Sequence, residues 1–135
     1  MSSSDNFAKW IARRTDIDPN GMFDVIAHGT PDGIEIIRKG TKITVNSRTA
    51  ARLIEQLPGY HGQDIRLLSC STGARADGFA QNLANKLGVK VTAPTDTLWA
   101  NKYGRYFVAA KNAQGHADMA KRGTFKTYIP GGNKR

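Results

Sequence analysis

The chain has 135 residues, a net charge of +9 and one cysteine, with 39% hydrophobic and 23% charged residues, values typical of one soluble globular domain. A single cysteine excludes a disulfide within the chain and argues against a cysteine-based zinc site. No apolar run approaches the ~20 residues that span a bilayer, and the N-terminal residues lack the basic start and apolar stretch of a secretory signal, so we expect no membrane span and no signal peptide in this chain.

The first third of the chain is predicted to contain a helix, a strand and a hairpin. Residues 7–14 have the pattern of a short amphipathic helix, and residues 18–21, Asp-Pro-Asn-Gly, are turn formers. A β-rich run at 23–27 stops at a loop dense in turn residues. Residues 34–38 and 41–45 then predict two strands joined by a tight Lys-Gly turn.

Two longer helices are predicted from apolar residues that repeat with helical spacing. The first begins at Asn46 or Ser47, both good N-caps, and runs to about Leu57. The second runs from about Asp77 to Leu87, where a glycine follows as a C-terminal cap. Each places one apolar stripe on one face, as a helix lying on a sheet does.

Strands at 65–70 and 89–93 follow these helices in turn. The order strand, hairpin, helix, strand, helix, strand predicts an α/β fold with a mostly parallel sheet flanked by helices. Residues 105–109 and 123–129 are predicted to form a C-terminal β-hairpin or a pair of edge strands.

The chain is expected to form a single domain and to be a monomer. Residues 1–20 are predicted to be an N-terminal tail with the short helix, residues 21–130 the α/β core, and residues 131–135 a flexible basic tail.

Two chemically reactive residues lie at, or just after, the ends of predicted strands. His28 follows the first strand and Cys70 ends the strand at 65–70. In an open α/β sheet, reactive groups collect beyond the carboxyl ends of the strands. If the two strands are neighbours, the imidazole can take the proton of the thiol and leave a nucleophilic thiolate. Backbone N–H groups of Gly29 and Cys70 would then form an oxyanion hole.

The remaining candidates have weaker patterns. His61 lies in a turn before the strand of Cys70, and His116 lies in a polar loop. Asp96 and Trp99 follow the strand at 89–93 and would lie on the rim of Cys70, where an acidic and an aromatic group can form a substrate pocket; Asp96 can equally cap a turn. No pair of histidines has metal-ligand spacing, so we expect no metal and no cofactor.

Residues 25–29, Val-Ile-Ala-His-Gly, and residues 65–73, Ile-Arg-Leu-Leu-Ser-Cys-Ser-Thr-Gly, resemble the strand ends of caspase-like (clan CD) cysteine peptidases. The resemblance implies a caspase-like sheet, with Cys70 as the nucleophile, His28 as the general acid and base, and the Gly29 backbone in the oxyanion hole. The caspase pentapeptide Gln-Ala-Cys-x-Gly is absent, because a serine precedes Cys70 and the glycine falls later. The chain is also shorter than a full caspase unit, so its specificity residues do not carry over.

Residues 60–99 also resemble C-terminal domains of bacterial polymorphic toxins of the Rhs and contact-dependent-inhibition types. The Asp-Pro-Asn-Gly at 18–21 is similar to the boundary sequence of Rhs cores. This resemblance implies a toxin or effector domain used in competition between bacteria. Such a domain is secreted, or delivered into a target cell, as part of a larger carrier protein.

The charge is concentrated at the C-terminus, where residues 101–135 carry eight Lys and Arg against one acidic residue. Such a segment favours an acidic partner, here an immunity protein that covers Cys70, or nucleic acid. Three functions remain open. The chain is a cysteine peptidase acting on a protein substrate, a nucleic-acid-directed toxin in which His28 works with His61 or His116, or a non-catalytic binding domain.

Overall fold

The computed structural model describes residues 7–16 and 21–131. Most of the predicted turn at 18–21 lies outside the described residues, as do residues 1–6 and 132–135 of the predicted tails. In the described part of the chain, no helix is long and apolar enough to cross a membrane. Its helices are α1 (Phe7–Ile11), α2 (Ser47–Glu55) and α3 (Phe79–Leu87). Its strands are β1 (Phe23–Ile26), β2 (Gly29–Thr30), β3 (Gly33–Arg38), β4 (Thr41–Val45), β5 (Ile65–Leu68), β6 (Val91–Pro94), β7 (Leu98–Ala100), β8 (Tyr106–Lys111), β9 (Ala117–Arg122) and β10 (Phe125–Tyr128).

The central sheet has four strands in the order β1-β5-β6-β10. Strands β1, β5 and β6 are parallel to one another, and β10 is antiparallel to β6. The predicted α/β class is therefore confirmed, and the sheet is mixed because its last strand runs the opposite way.

Helices α2 and α3 cover one face of this sheet, as their apolar stripes predict. Ala50 and Ile54 of α2 and Leu83 of α3 are buried against Leu67 of β5 and Val91 of β6. Burying such stripes against a sheet is the main favourable term that holds these layers together.

The predicted bounds of α2 are nearly correct. Asn46 is its N-cap, and the Asn46 side chain accepts a hydrogen bond from the Thr49 N–H at 3.0 Å. The helix ends at Glu55, two residues before the predicted end at Leu57. Pro58 explains the early end, because a proline disfavours helical backbone at the residue before it.

The other face of the sheet carries a second apolar cluster, built from α1, β7 and β8. Phe7 and Ile11 of α1 are 3% and 0% exposed, and they pack with Leu68, Leu98 and Val108. The short helix predicted near the N-terminus is therefore part of the folded core.

The two small sheets are antiparallel. The predicted hairpin is confirmed as β3 and β4, and Lys39 and Gly40 in its two-residue turn have φ of 53° and 78°. The C-terminal strands do not form a hairpin with each other. Strand β8 pairs with β7 and β9, whereas β10 is an edge strand of the central sheet.

Candidate active site

The register of β1 against β5 determines where the candidate residues lie. Asp24 pairs with Arg66 and Ile26 pairs with Leu68, and the Ala27 N–H continues the ladder to the Leu68 carbonyl at 3.4 Å. His28 and Cys70 each follow two residues after the last pair. Both therefore lie at the carboxyl edge of two adjacent parallel strands.

The two side chains also lie on the same face of the sheet. Ile26, Leu68 and Cys70 all pack against the second apolar cluster. The ring centroid of His28 is 6.2 Å from that of Phe7, which belongs to this cluster. His28 is exposed and Cys70 is partly buried. The structure thus brings both residues to one apolar rim, and no hydrogen bond joins the His28 ring to Cys70 Sγ among the described residues.

The Cys70 thiol is held by the backbone of β7. Its Sγ accepts a hydrogen bond from the Leu98 N–H at 3.3 Å and lies 3.7 Å from the Leu98 carbonyl oxygen. Burial raises the pKa of Cys70 above its ordinary value, and the nearby Asp96 raises it further. The Leu98 contact and the positive charge of Lys111 act in the opposite direction without reversing the shift.

Gly29 allows the strand of His28 to approach the backbone of Cys70. A Cβ at this position would lie 2.7 Å from the Cys70 carbonyl oxygen and 2.8 Å from Thr72 Cγ2. Only a residue without a side chain fits this approach. The glycine in the His-Gly pair therefore has a clear steric role, and its contribution to an oxyanion hole stays a prediction.

The turn after Cys70 is fixed to the end of β6. Ser71 has φ of 59°, which is uncommon for a residue other than glycine. Its N–H donates to the Asp96 carbonyl at 2.9 Å, and the Gly73 N–H donates to Pro94 at 2.8 Å. The sequence carries no signal for this left-handed serine, because asparagine and glycine are the usual residues there.

The two predicted pocket residues have different positions. The Asp96 carboxylate is near enough to Cys70 to affect its pKa, and its Oδ1 accepts a hydrogen bond from the Thr97 N–H at 2.8 Å. Trp99 is only 2% exposed, and its indole N–H donates to the Ala109 carbonyl at 2.9 Å. Trp99 is therefore a residue of the packed interior, and only Asp96 stays at the rim.

The other histidines lie away from the candidate pair. His61 is exposed in the turn before β5, at the end of that strand opposite Cys70. His116 is exposed between β8 and β9. Across residues 7–16 and 21–131, no group of three or more His, Cys, Asp or Glu side chains is arranged to hold a metal ion.

A buried ion-pair network lies below the site and was missed from the sequence. Asp24 Oδ2 is 2.8 Å from Arg14 and 2.7 Å from Arg66, and Arg66 also contacts Asp16 and Tyr106. Burial raises the pKa of Asp16, but hydrogen bonds from Tyr106 and Arg66 outweigh it and lower the pKa overall. One charged residue within each of two apolar strands was the available signal.

Comparison with known proteins gives a match to one family model. This model, described as a domain of unknown function, DUF8616, matches residues 1–108. The matched stretch contains His28, Cys70 and Asp96, and it ends within β8. No curated protein and no solved structure shows a significant match to the chain.

Proposed function

We propose that this chain, which belongs to the DUF8616 family of domains of unknown function, is a cysteine peptidase. In this proposal Cys70 is the nucleophile and His28 is the general base and acid. One observation carries the proposal. The strands before His28 and Cys70 are adjacent, parallel and in register, and both side chains border the same apolar cluster. A caspase-like arrangement needs this juxtaposition at the carboxyl edge of a sheet.

The reaction follows from the two groups. His28 takes the proton of the Cys70 thiol, and the thiolate attacks the carbonyl carbon of the scissile peptide bond. The oxyanion that forms accepts hydrogen bonds from the backbone N–H groups of Gly29 and Cys70. As the C–N bond breaks, the His28 imidazolium protonates the leaving amine and a thioester remains. Water, deprotonated by His28, then releases the acid and restores the thiol.

The rotation of the His28 side chain toward Cys70 Sγ is the step that forms the dyad. His28 is exposed and therefore free to turn. Catalytic hydrogen bonds are often absent from an empty site and form only with substrate. Burial raises the pKa of Cys70, so the resting thiol is protonated until this contact forms.

The biological role proposed here is that of a toxin or effector domain delivered into a target cell by a larger carrier protein, with a protein as its substrate. An acidic immunity protein is the proposed partner. The exposed cations Lys121 and Arg122 on β9 support such a partner, as does Lys111, which is close enough to Cys70 to affect its pKa.

Two alternatives have different support. A non-catalytic binding domain is favoured by one observation, the partly buried thiol with a raised pKa. The alternative that pairs His28 with His61 in a nuclease has less support, because the two residues lie at opposite ends of parallel strands.

The test is expression of the wild-type chain in a bacterium beside Cys70→Ala, His28→Ala and His61→Ala variants, followed by a search of the proteome for new N-termini. We expect new N-termini with the wild type and with His61→Ala, and none with the other two. Cleavage that survives Cys70→Ala in a folded variant contradicts the proposal, and so does a complete lack of cleavage by the wild type.

A further inference from the structure

The chain leaves β1 through β2 and returns as β3, and this return creates a gap between two strand edges. Gly29 pairs with Ile34, and the Glu35 N–H donates to the His28 carbonyl at 2.8 Å. Continued along both strands, that register brings Ile26 opposite Ile37. No hydrogen bond joins these two residues among the described residues, because the strands separate there.

A cleft of about 480 Å³ opens between the separated strands. Its walls are residues 25–27 at the end of β1 and residues 34–38 of β3, and Leu53 and Ile54 of α2 also line it, as does Leu57 just after that helix. Leu57 and Ile37 are 41% and 70% exposed, so apolar surface continues to the mouth.

Both strands direct unused backbone groups into this cleft. The Phe23 and Ala27 N–H groups point toward β5. Because successive N–H groups along a strand point to opposite sides, the Ile26 N–H points away from β5. The Glu35 N–H points toward β1, so the Ile37 N–H points the same way. The central sheet and the β3–β4 hairpin thus present one strand edge each to the same space.

We propose that this cleft binds one extended segment of a partner polypeptide, which pairs with β1 on one side and β3 on the other. Free donors and acceptors on two facing edges match an extended backbone. The apolar wall of α2 matches a segment with an apolar side chain at every second residue.

Charge and shape define the occupant further. Arg38 lines the hairpin end of the cleft, and Lys39 and Lys42 belong to the same end of that hairpin, whereas Glu35 lines the cleft nearer β2. The segment therefore carries a carboxylate where it leaves past the turn between β3 and β4. A second copy of this chain does not fit, because its own β1 edge is recessed in the same cleft and cannot enter another.

This surface adjoins the candidate dyad but does not include His28 or Cys70. Val25, Ala27 and Ile54 pack in the cluster under α2 and α3, whereas Ile26 and Cys70 pack against the cluster on the other face. The proposal therefore stands whether or not the chain is a peptidase.

The test uses a phage-displayed library of random linear heptapeptides selected on the immobilised full chain. We expect enriched peptides to alternate apolar and polar residues and to include an acidic residue near one end. The enriched peptide is then synthesised, and its affinity for the chain is measured by fluorescence polarisation. A version N-methylated at a central residue should bind at least ~10-fold more weakly, because every central N–H of an inserted strand faces one of the two edges.

Variants of the chain locate the site. Ile37→Pro removes one edge N–H and should weaken binding at least ~10-fold. The comparison variant Ile37→Ala keeps that N–H and loses only side-chain contacts with the peptide, so it should weaken binding less than Ile37→Pro does. Leu57→Glu places a charge on the apolar wall and should weaken binding independently of β3.

Three results overturn the proposal. The first is a library that yields no enriched peptide. The second is an enriched peptide whose affinity ignores N-methylation or both the Ile37→Pro and Leu57→Glu substitutions in folded protein. The third is a dimer of the chain that the enriched peptide does not dissociate but that the Leu57→Glu substitution does dissociate.

Discussion

The pKa of the Cys70 thiol depends on the few groups that surround it. Burial works against the thiolate, and so does the carboxylate of Asp96, whereas Lys111 and the Leu98 N–H favour it. The thiolate is the reactive form of cysteine. The pH dependence of its alkylation therefore reports these neighbours directly.

We expect the alkylation of Cys70 by iodoacetamide to rise with pH around a midpoint above that of the unfolded chain, because burial raises the pKa of the thiol. Asp96→Asn should lower this midpoint and Lys111→Gln should raise it, since they remove opposite charges. The rate is measured across a range from mildly acidic to alkaline pH by mass spectrometry, with the chain in urea as the reference. A midpoint below the reference, or shifts of the same sign in both variants, contradicts this account.

Gly29→Ala should disturb the site through sterics alone. The new Cβ would lie 2.7 Å from the Cys70 carbonyl oxygen, so the backbone must move. We expect a loss of about 1–3 kcal/mol in the free energy of unfolding, as in overpacked cores, together with a changed alkylation rate of Cys70.

The matched control is Gly40→Ala. Gly40 has φ of 78°, and a Cβ added there would have no neighbouring atom within 4 Å, so an alanine costs only backbone strain of about 1–2 kcal/mol. Its Cys70 alkylation rate should equal that of the wild type. An identical effect of both substitutions on that rate would show that the contact between Gly29 and Cys70 has no influence on the thiol.

At the scale of the elements, one face of β1 and β5 carries the ionic pair of Asp24 and Arg66, then the apolar pair of Ile26 and Leu68, and then the candidate dyad. Asp24 lies between the cations of Arg14 and Arg66, and all three side chains are less than 10% exposed. Removing one member of a buried ion pair leaves an uncompensated charge. This network therefore fixes the two strands whose ends carry His28 and Cys70.

Asp24→Ala should lower the free energy of unfolding by about 3–5 kcal/mol, because two buried cations lose their shared partner. Asp32→Ala is the control, since the pair of Asp32 and Arg75 is exposed, with 72% and 60% of the side chains accessible, and should cost at most about 1 kcal/mol. Urea unfolding followed by circular dichroism measures both values. Equal losses would mean that the buried network contributes no more than a surface pair.

Local patterns predicted much of the fold. The hairpin, α2, α3, β5 and β6 were predictable because turn residues, caps and apolar periods lie within each segment. Strand β9 was missed because most of its residues are exposed, so it shows no apolar alternation. The pairing of β8 with β7 and β9, and of β10 with β6, depends on contacts between distant residues, which no local pattern contains.

The candidate site was predictable to a similar extent. Strand ends placed His28 and Cys70 at one edge, but the sequence did not show that Trp99 is buried or that Leu98 binds the thiol. Both features depend on tertiary contacts of β7, which pairs with β8 and lies against Cys70. The network around Asp24 joins residues up to 90 positions apart, and only the tertiary fold, including the register of β1 on β5, reveals it.

At the scale of the whole molecule, the net charge of +9 is unevenly distributed. Lys121 and Arg122 are adjacent and exposed on β9, and Lys126 is exposed on β10. Like charges that lie close together repel one another unless an acidic surface compensates them. An acidic partner that covers this region associates faster and binds more tightly, because opposite charges attract each other.

The basic surface of β9 should therefore bind an acidic polymer more strongly than the rest of the molecule does. Poly-L-glutamate serves as the probe for an acidic protein, and a short DNA duplex serves as the probe for nucleic acid. Affinity should fall between low and physiological salt, because exposed charges are screened over ~8–10 Å at physiological ionic strength. The double reversal Lys121→Glu with Arg122→Glu should weaken poly-L-glutamate binding at least ~10-fold at the lower salt concentration.

The control reverses two other exposed cations, Arg48 and Arg52 of α2, and changes the net charge by the same amount. If the position of the charges matters, this variant retains most of the affinity, because α2 covers the opposite face of the sheet from β8. Equal losses of affinity in the two variants mean that only the total charge attracts the probe, and the proposal that β9 is a docking surface is then wrong. Loss of DNA binding alone in the β9 variant would instead favour nucleic acid as the partner. The Cys70 alkylation rate, measured in the same samples, should be unchanged in both variants, since Lys111 is intact in each.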